Sequence, residues 1–288
     1  MKGKAPLSVF VLGAGKVGTS LTRALRSRGA RVTLRAHRKG LPAKGIDADL
    51  LILAVRDGQL EALVEELAVG RAVGRSTAVV HCAGALGPEP LERLRGVALG
   101  VAQMHPMISF ASPRSLPTLA GGQLHVEGDP AAARAARKVA RLLGMTARTI
   151  PNLDKVAYHA AAGLVANGAA ALAAAGQRLL VLGGVRADIA TDMLGPLLRS
   201  VADNVERLGL PYALTGPVRR GDAKGVARHL DVIAERAPEL LPLYRALVAA
   251  QVPLARAIGE AAAASFDAIE GLALLRGVLA SPDHDQQK

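Results

Sequence analysis

Three glycines, Gly13, Gly15 and Gly18, stand directly behind the apolar run of residues 7–12 and constrain this chain more than any other stretch. A buried-strand pattern that runs into glycines at this spacing, and leaves through the helix-like residues 19–28, is a strand–turn–helix unit. In such a unit the first glycine permits the tight turn, the second lets backbone approach a pyrophosphate, and the third lets helix and strand pack closely. Gly13, Ala14, Gly15, Lys16, Val17 and Gly18 would then offer free backbone N–H groups and the positive end of a helix to a dinucleotide.

The rest of the first half supplies the sheet that such a turn requires. Residues 31–35, 49–55 and 77–82 read as strands, residues 96–102 lead to a fifth, and residues 123–127 make a sixth, with helix candidates between them. Continuous apolar runs of this kind belong to parallel strands covered on both faces. The pattern predicts an α/β Rossmann-type, doubly wound parallel sheet, whose ligand crevice lies at the carboxyl ends of the strands. The tips that matter are then Gly13 to Gly18, Ala54 to Asp57 with Ala54 and Val55 at its start, Ala83-Gly84, and Met104-His105-Pro106.

Near Ile150-Pro151 the character changes, and no convincing strand follows. Asn152 or Asp154 could cap a helix running to about Leu182, with further helices over 187–208, 222–236 and 238–269, interrupted near Pro242 and Pro253. The expected organisation is a cofactor-binding Rossmann domain over 1–150, followed by an all-α helical domain over 151–288 that holds substrate and dimerises. Alanine-rich helices exposed in quantity would form an apolar patch, which argues for a homodimer through the helical domain. The polar tail from Ser281 is expected to fray.

The tip of the second strand bears on which dinucleotide fits. An NAD site would carry an acid about twenty residues past the glycines to bind the ribose 2′-hydroxyl. This chain offers Arg35, Ala36, His37, Arg38 and Lys39, and no acid until Asp47. Guanidinium groups suit a phosphate, so NADP(H) is the expected cofactor, with Arg35, His37 and Arg38 beside its 2′-phosphate.

Bulk properties narrow the function classes. The first residues lack the h-region of a signal peptide, and the longest apolar stretch, residues 158–185, is interrupted by His159, Asn167, Gln177 and Arg178, so a cytoplasmic protein with no membrane partner is expected. A single cysteine, Cys82, excludes a disulfide framework within the chain and a cysteine-built zinc site, and no metal is expected. The net charge of +12 is spread through the chain, and aromatic residues make up 2%, so no specific nucleic-acid partner is expected. The charge instead favours small anionic molecules.

A nicotinamide cofactor brings the hydride; the protein must place the acceptor and supply charge or a proton. Lys155 and His159 are four apart and share a helical face, with Tyr158 to the other side of Lys155. Lys155 could polarise a carbonyl or bind a carboxylate, and His159 could donate the proton, which makes these two the catalytic candidates. Asn167, three turns from Lys155 and roughly 18 Å along the axis, reads as a helix–helix contact or a far pocket wall. His105 at a strand tip could face the nicotinamide or be a buried histidine bonded to backbone, whereas His81 and His125, inside strands, read as structural. The turn-rich insert 214–222 gathers Thr215, Arg220 and Asp222; Arg220 could hold a substrate carboxylate, and Asp222 could instead cap the next helix.

Gly13 to Gly18, His105-Pro106, Lys155-Val-Ala-Tyr-His159 with Asn167, and Thr215-Gly-Pro-Val-Arg-Arg-Gly-Asp222 together resemble the family that joins a Rossmann-like domain to a C-terminal helical domain of unknown function 2520. Its members resemble pyrroline-carboxylate reductases, β-hydroxyacid dehydrogenases and the F420-dependent NADP reductases. The resemblance implies an NADP(H)-dependent oxidoreductase that reduces a small anionic carbonyl compound, a 2-oxo acid such as ketopantoate, or an imine held between its domains. By the same resemblance Lys155 matches the catalytic lysine of the β-hydroxyacid dehydrogenases. The asparagine four residues later is replaced by His159, and Ala83 stands where the family often has serine. These two departures motivate the alternative of a catalytically silent NADP(H)-binding sensor or scaffold.

Overall fold

The computed structural model describes residues 5–274; the tail from Ser281 lies outside the described residues. The chain forms two compact units, Met1–Ala166 and Asn167–Lys288. The first contains β1 (Ser8–Leu12), α1 (Lys16–Ser27), β2 (Arg31–Arg35), β3 (Leu50–Leu53), α2 (Leu60–Val69), β4 (Ala78–His81), β5 (Gly100–Pro106), β6 (Gln123–Gly128), α3 (Pro130–Leu143), β7 (Thr146–Arg148) and the start of α4 (Lys155–Leu182). Strands give way to helices after β7, at the place Ile150-Pro151 marks, but the compact units part later, inside α4. Lys155, Tyr158 and His159 therefore belong with the sheet.

The seven strands form one sheet in the order β2-β1-β3-β4-β5-β6-β7, a doubly wound Rossmann-type arrangement. It departs from the expected parallel sheet at one place, because β6 pairs antiparallel with β5, His105 opposite His125 and Gln103 opposite Glu127. The cause is the connection: residues 107–122 contain no helix, and a chain that returns without a crossover must run back antiparallel. After β6, α3 provides the crossover to β7, which is parallel to β6. With three residues, β7 is too short to leave a readable pattern in the sequence.

Side chains alternate across the sheet. Val9, Val11, Leu50, Ile52, Val80, Met104 and Val126 pack on α1 and α3 in one core layer. Leu12, Leu51, Leu53, Val79 and Val101 pack on α2 on the other face. On that second face the apolar pattern stops partway across the sheet. Strands β4 to β6 carry His81, Gln103, His105, His125 and Glu127 there, brought side by side by the pairings His81–Gln103, Gln103–Glu127 and His105–His125.

The second unit holds the remainder of α4 with α5 (Ala187–Leu208), α6 (Ala223–Arg236), α7 (Leu241–Ile258) and α8 (Ala263–Leu274). Its core is built by α6, α7 and α8 through Val226, Leu230, Val248, Val252, Phe266 and Ile269. The interruption expected near Pro253 is not there: Pro253 lies inside α7, and the helix ends instead at Gly259, whose φ of +75° closes it. Neither α4 nor α5 shares this core to a comparable extent: α4 buries no residue and α5 buries only Ala190. Leu197 and Leu208 remain more than half exposed. Among the described residues α4 is also the one helix long and apolar enough to cross a membrane by length and composition, so its polar interruptions do not remove it from that class as the sequence reading held.

Candidate functional site

The glycine turn has the geometry its spacing implies. Gly13 takes φ +119° and lies so close to the carbonyl of Ala54 that a Cβ could not fit, and a Cβ on Gly18 would run into the Gly13 carbonyl. A Cβ on Gly15 would meet nothing within 4 Å. Two glycines are thus fixed by packing of β1, α1 and β3, and the third leaves a cradle open to a ligand. Gly15 is the N-cap of α1, so the first-turn N–H groups of Lys16, Val17 and Gly18 lack intrahelical acceptors and face outward at the positive end of the helix. These features suit a pyrophosphate.

At the tip of β2 the basic residues divide their work. Arg35 is spent on its own loop: Nε donates to the Gly40 carbonyl at 2.6 Å and Nη2 to that of Lys39 at 2.7 Å. The guanidinium thus folds the segment that carries its neighbours, with Nη1 forming no hydrogen bond among the described residues. His37 lies 3.8 Å from the Glu66 carboxylate. Arg38 and Lys39 are exposed, and the side chain of neither forms an ion pair or hydrogen bond among the described residues, so these are the cations the loop leaves available.

A cleft of about 300 Å³ opens at the carboxyl ends of β1, β3, β4 and β5. Its walls are Val17 of the glycine turn, Ala54 and Val55 with Asp57, Cys82-Ala83-Gly84, His105-Pro106, Ile108, Phe110 and His159. Burial pushes the Cys82 thiol up to about 12, which keeps it protonated and unreactive near neutrality. Gly84 forms the floor. A Cβ there would fall 2.7 Å from Nε2 of His105 and closer still to Nδ1 of His159, so the two imidazoles converge on the one position where a side chain is lacking.

Behind this floor lies the polar ladder of β4 to β6, joined by the first turns of α4. Asp154 caps that helix, accepting from the N–H groups of Val156 and Ala157 at 2.9 and 3.0 Å. The turn so fixed places Lys155 Nζ 3.1 Å from Oε1 of Gln103 and 3.2 Å from Nδ1 of His125, in an ion pair with Glu127. The Lys155 side chain is only 12% exposed and is absent from the cleft walls. Gln103 also donates to the Ala83 carbonyl at 2.9 Å and lies 2.9 Å from Nδ1 of His125, which ties the ladder to the strand tip. His81 accepts from the Ala83 N–H through Nδ1 and meets the Gly87 carbonyl through Nε2, a pattern that fixes a neutral ring with its hydrogen on Nε2. The Tyr158 hydroxyl lies 3.2 Å from Nδ1 of His105.

The electrostatics of this cluster disfavour added charge. Burial, then His159, His125, His81 and Lys155 in that order, hold His105 down to about 4. Burial also lowers His81 and His125, and raises the Tyr158 phenol.

Sequence reasoning brought His105, Tyr158, His159 and Lys155 to this place but passed over Gln103 and Glu127, and read His81 and His125 as structural. The available signal was alternation, since Gln103-x-His105 and His125-x-Glu127 put polar residues at every second position of otherwise apolar strands. In the helical unit, Asn167 is exposed on α4, and Thr215 and Arg220 are exposed in the loop before α6. Asp222 accepts from the Gly225 N–H at 2.8 Å as the N-cap of α6, the capping role that is one of its two sequence readings. The arginine that organises this loop is Arg219, which donates to the carbonyls of Tyr212 and Leu214 and pairs with Glu260.

A Rossmann-type sheet with an open glycine cradle, followed by an α-helical unit, defines the class of this chain. Within that class, residues 36–106 match the Rossmann-like domain and residues 123–251 match the domain of unknown function DUF2520, so the chain joins these two domains. Among solved structures it is similar to a Bacteroides fragilis protein assigned as an NADP oxidoreductase (21% identity, 89% of this chain and 99% of that one, TM-score 0.66). It is also similar to the Plasmodium falciparum pyrroline carboxylate reductase with NADP bound (10% identity, 94% and 100%, TM-score 0.57). A third is the Streptomyces aurantiacus imine reductase (18% identity, 92% and 98%, TM-score 0.56). At these identities the likeness is one of fold. No curated protein matches the sequence.

Proposed function

We propose that this protein is an NADP(H)-dependent oxidoreductase that reduces a small anionic carbonyl compound, such as a branched 2-oxo acid, or an imine. The observation that carries the reading is a shared cleft: Val17 of the glycine turn, the strand tips and two imidazoles with unoccupied nitrogens line one cavity. Bound there, the cofactor would supply a hydride to the acceptor carbon. Gly13 to Gly18 with Ala54, Val55, Ala83 and Gly84 would hold it, and Arg38, with His37 nearby, favours the 2′-phosphorylated form. His159 is the group to deliver a proton to the acceptor oxygen or nitrogen as charge develops there. Lys155, held by Glu127 and Gln103, contributes its positive charge from behind the floor. Asn167, Thr215 and Arg220, exposed on the helical unit, are its candidate substrate residues, and Arg220 is the one among them suited to a carboxylate. The fold neighbours include proteins with NADP bound and imine reductases, which supports the same chemistry.

We further infer a homodimer through the helical unit, because α5 leaves Met193, Leu197, Val201 and Leu208 exposed. The cytoplasm, with its NADPH supply, is the compartment such a reductase needs. The decisive experiment is calorimetric titration with NADPH and NADH, followed by NADPH oxidation against a panel of branched 2-oxo acids and cyclic imine carboxylates. NADPH binding with turnover of a panel member is the expected result, and absence of NADPH binding refutes the reading. A second reading, a catalytically silent NADP(H) sensor or scaffold, is favoured by the engagement of Lys155 with Glu127 rather than with the cleft. It requires cofactor binding without oxidation of NADPH by any member of the panel.

A further inference from the structure

We propose that Tyr158 is a positioning residue that fixes the tautomer of His105, so that His105 presents Nε2–H to the cleft as a neutral hydrogen-bond donor for the acceptor atom of the substrate. The proposal rests on the reductase reading for the identity of what is bound, but the tautomer is a property of the protein alone.

The argument starts from the two nitrogens of one ring. Nδ1 of His105 lies 3.2 Å from the Tyr158 hydroxyl, which meets no other partner among the described residues. The two rings stand edge-on, with centroids 5.4 Å apart and an interplanar angle of 80°. A phenol is the better donor and a neutral imidazole nitrogen the better acceptor, and if the ring donated instead, the phenolic hydrogen would lack an acceptor in a half-buried site. Tyr158 therefore donates to Nδ1, and the ring hydrogen resides on Nε2.

Nε2 is the nitrogen that converges on the floor at Gly84. It forms no hydrogen bond among the described residues, and it opens on the cleft that carries the glycine turn at its other end. The groups around it discourage a second proton. His159 stands across the floor with ring centroids 5.6 Å apart, His125 pairs with it across the strands, and Lys155 and His81 lie behind. A ring held neutral with a fixed N–H can stabilise a developing oxyanion or amide-like nitrogen without itself losing a proton, while His159 remains the group that exchanges one. Two histidines at one floor thus take different parts, and the difference originates in Tyr158, which faces only one of them.

The test is the long-range ¹H–¹⁵N spectrum of the uniformly labelled full-length protein near neutral pH, which distinguishes the two neutral tautomers and the charged ring. The expected result is His105 as the Nε2–H form in the unsubstituted protein, changing to a mixture or to Nδ1–H in Tyr158→Phe. A His105 that is Nδ1–H, or doubly protonated, in the unsubstituted protein overturns the proposal even if the variant fails to fold. An unchanged tautomer in a folded Tyr158→Phe also overturns it. With whichever probe of the panel is turned over, Tyr158→Phe should lower kcat about tenfold, the loss of one net hydrogen bond, while NADPH affinity stays the same. If no probe is turned over and the tautomer is as stated, the reductase reading fails and the assignment of Tyr158 stands.

Discussion

Acidification is expected to destabilise this protein well above the pH at which its carboxylates titrate, and His105 should carry the largest single share. Its ring is held down to about 4, against the ordinary 6.5. Between those two values the unfolded chain binds a proton at this histidine that the native protein refuses. Stability therefore rises with pH through this window: the penalty is absent above about 6.5, grows as pH falls, and is complete near 4. At about 1.4 kcal/mol for each tenfold change, the full window amounts to about 3 kcal/mol. His81 and His125 are lowered by burial as well and act in the same direction. The assay is urea unfolding of the native sequence and of His105→Gln at several values between about pH 4 and 7. The variant should lose the His105 share of the slope, so that the two stability curves diverge by about 3 kcal/mol across the window. Parallel curves refute the reasoning, as does an NMR titration placing His105 near 6.5.

Gly84→Ala would push a methyl group against Nε2 of His105 and Nδ1 of His159; a loss of about 1–3 kcal/mol in chemical denaturation is expected, with both histidine resonances displaced. Lys155→Met leaves Glu127 without its cation. Because Glu127 is 39% exposed, the cost should fall at or below the low end of the roughly 3–5 kcal/mol typical of broken buried pairs, and Lys155→Met combined with Glu127→Gln should recover part of it in the same denaturation assay. Arg38→Ala should weaken NADPH about ten- to a hundredfold by calorimetry, the worth of one charged hydrogen bond, and leave NADH unchanged. Asp222→Ala should lower the stability of the helical unit by about 1 kcal/mol through loss of the cap, whereas Asp222→Asn, which can still cap, should not; loss of NADPH oxidation in a stable Asp222→Asn would return that residue to the substrate site.

Much of the fold was legible because it depends on local features. Gly13 and Gly18 mark the first turn through contacts that only glycine allows, with Gly15 between them open to a ligand, and the apolar runs at 49–55 and 77–82 have the composition of strands covered on both faces. The helical half was readable from Asp154, Gly184 and Gly209, which bracket α4 and α5. What escaped were facts of pairing. Whether β6 runs parallel or antiparallel to β5 depends on a connection of residues 107–122 that bears no periodic signal, and β7 is recognisable only by its neighbour. The charge and position of Arg35 are legible in the sequence, but the carbonyls of Lys39 and Gly40 that engage its Nε and Nη2 are set by the turn that follows.

The reversal of β6 is also what makes the candidate site. In a sheet parallel throughout, the residue beside His105 would have come from a strand running the same way, with its tip at the cleft and its earlier residues below. Running back instead, β6 sets His125 beside His105 near the mouth and Glu127 beside Gln103 one step deeper. Glu127 can then pair with Lys155 beneath the floor, and the ammonium is drawn away from the cleft walls. The imidazoles of His105 and His159 are left as the polar groups at Gly84. A lysine that its place in the sequence marks as the reacting cation thus becomes a fixed charge behind two imidazoles, and it is the single missing crossover between β5 and β6 that puts the carboxylate there to hold it.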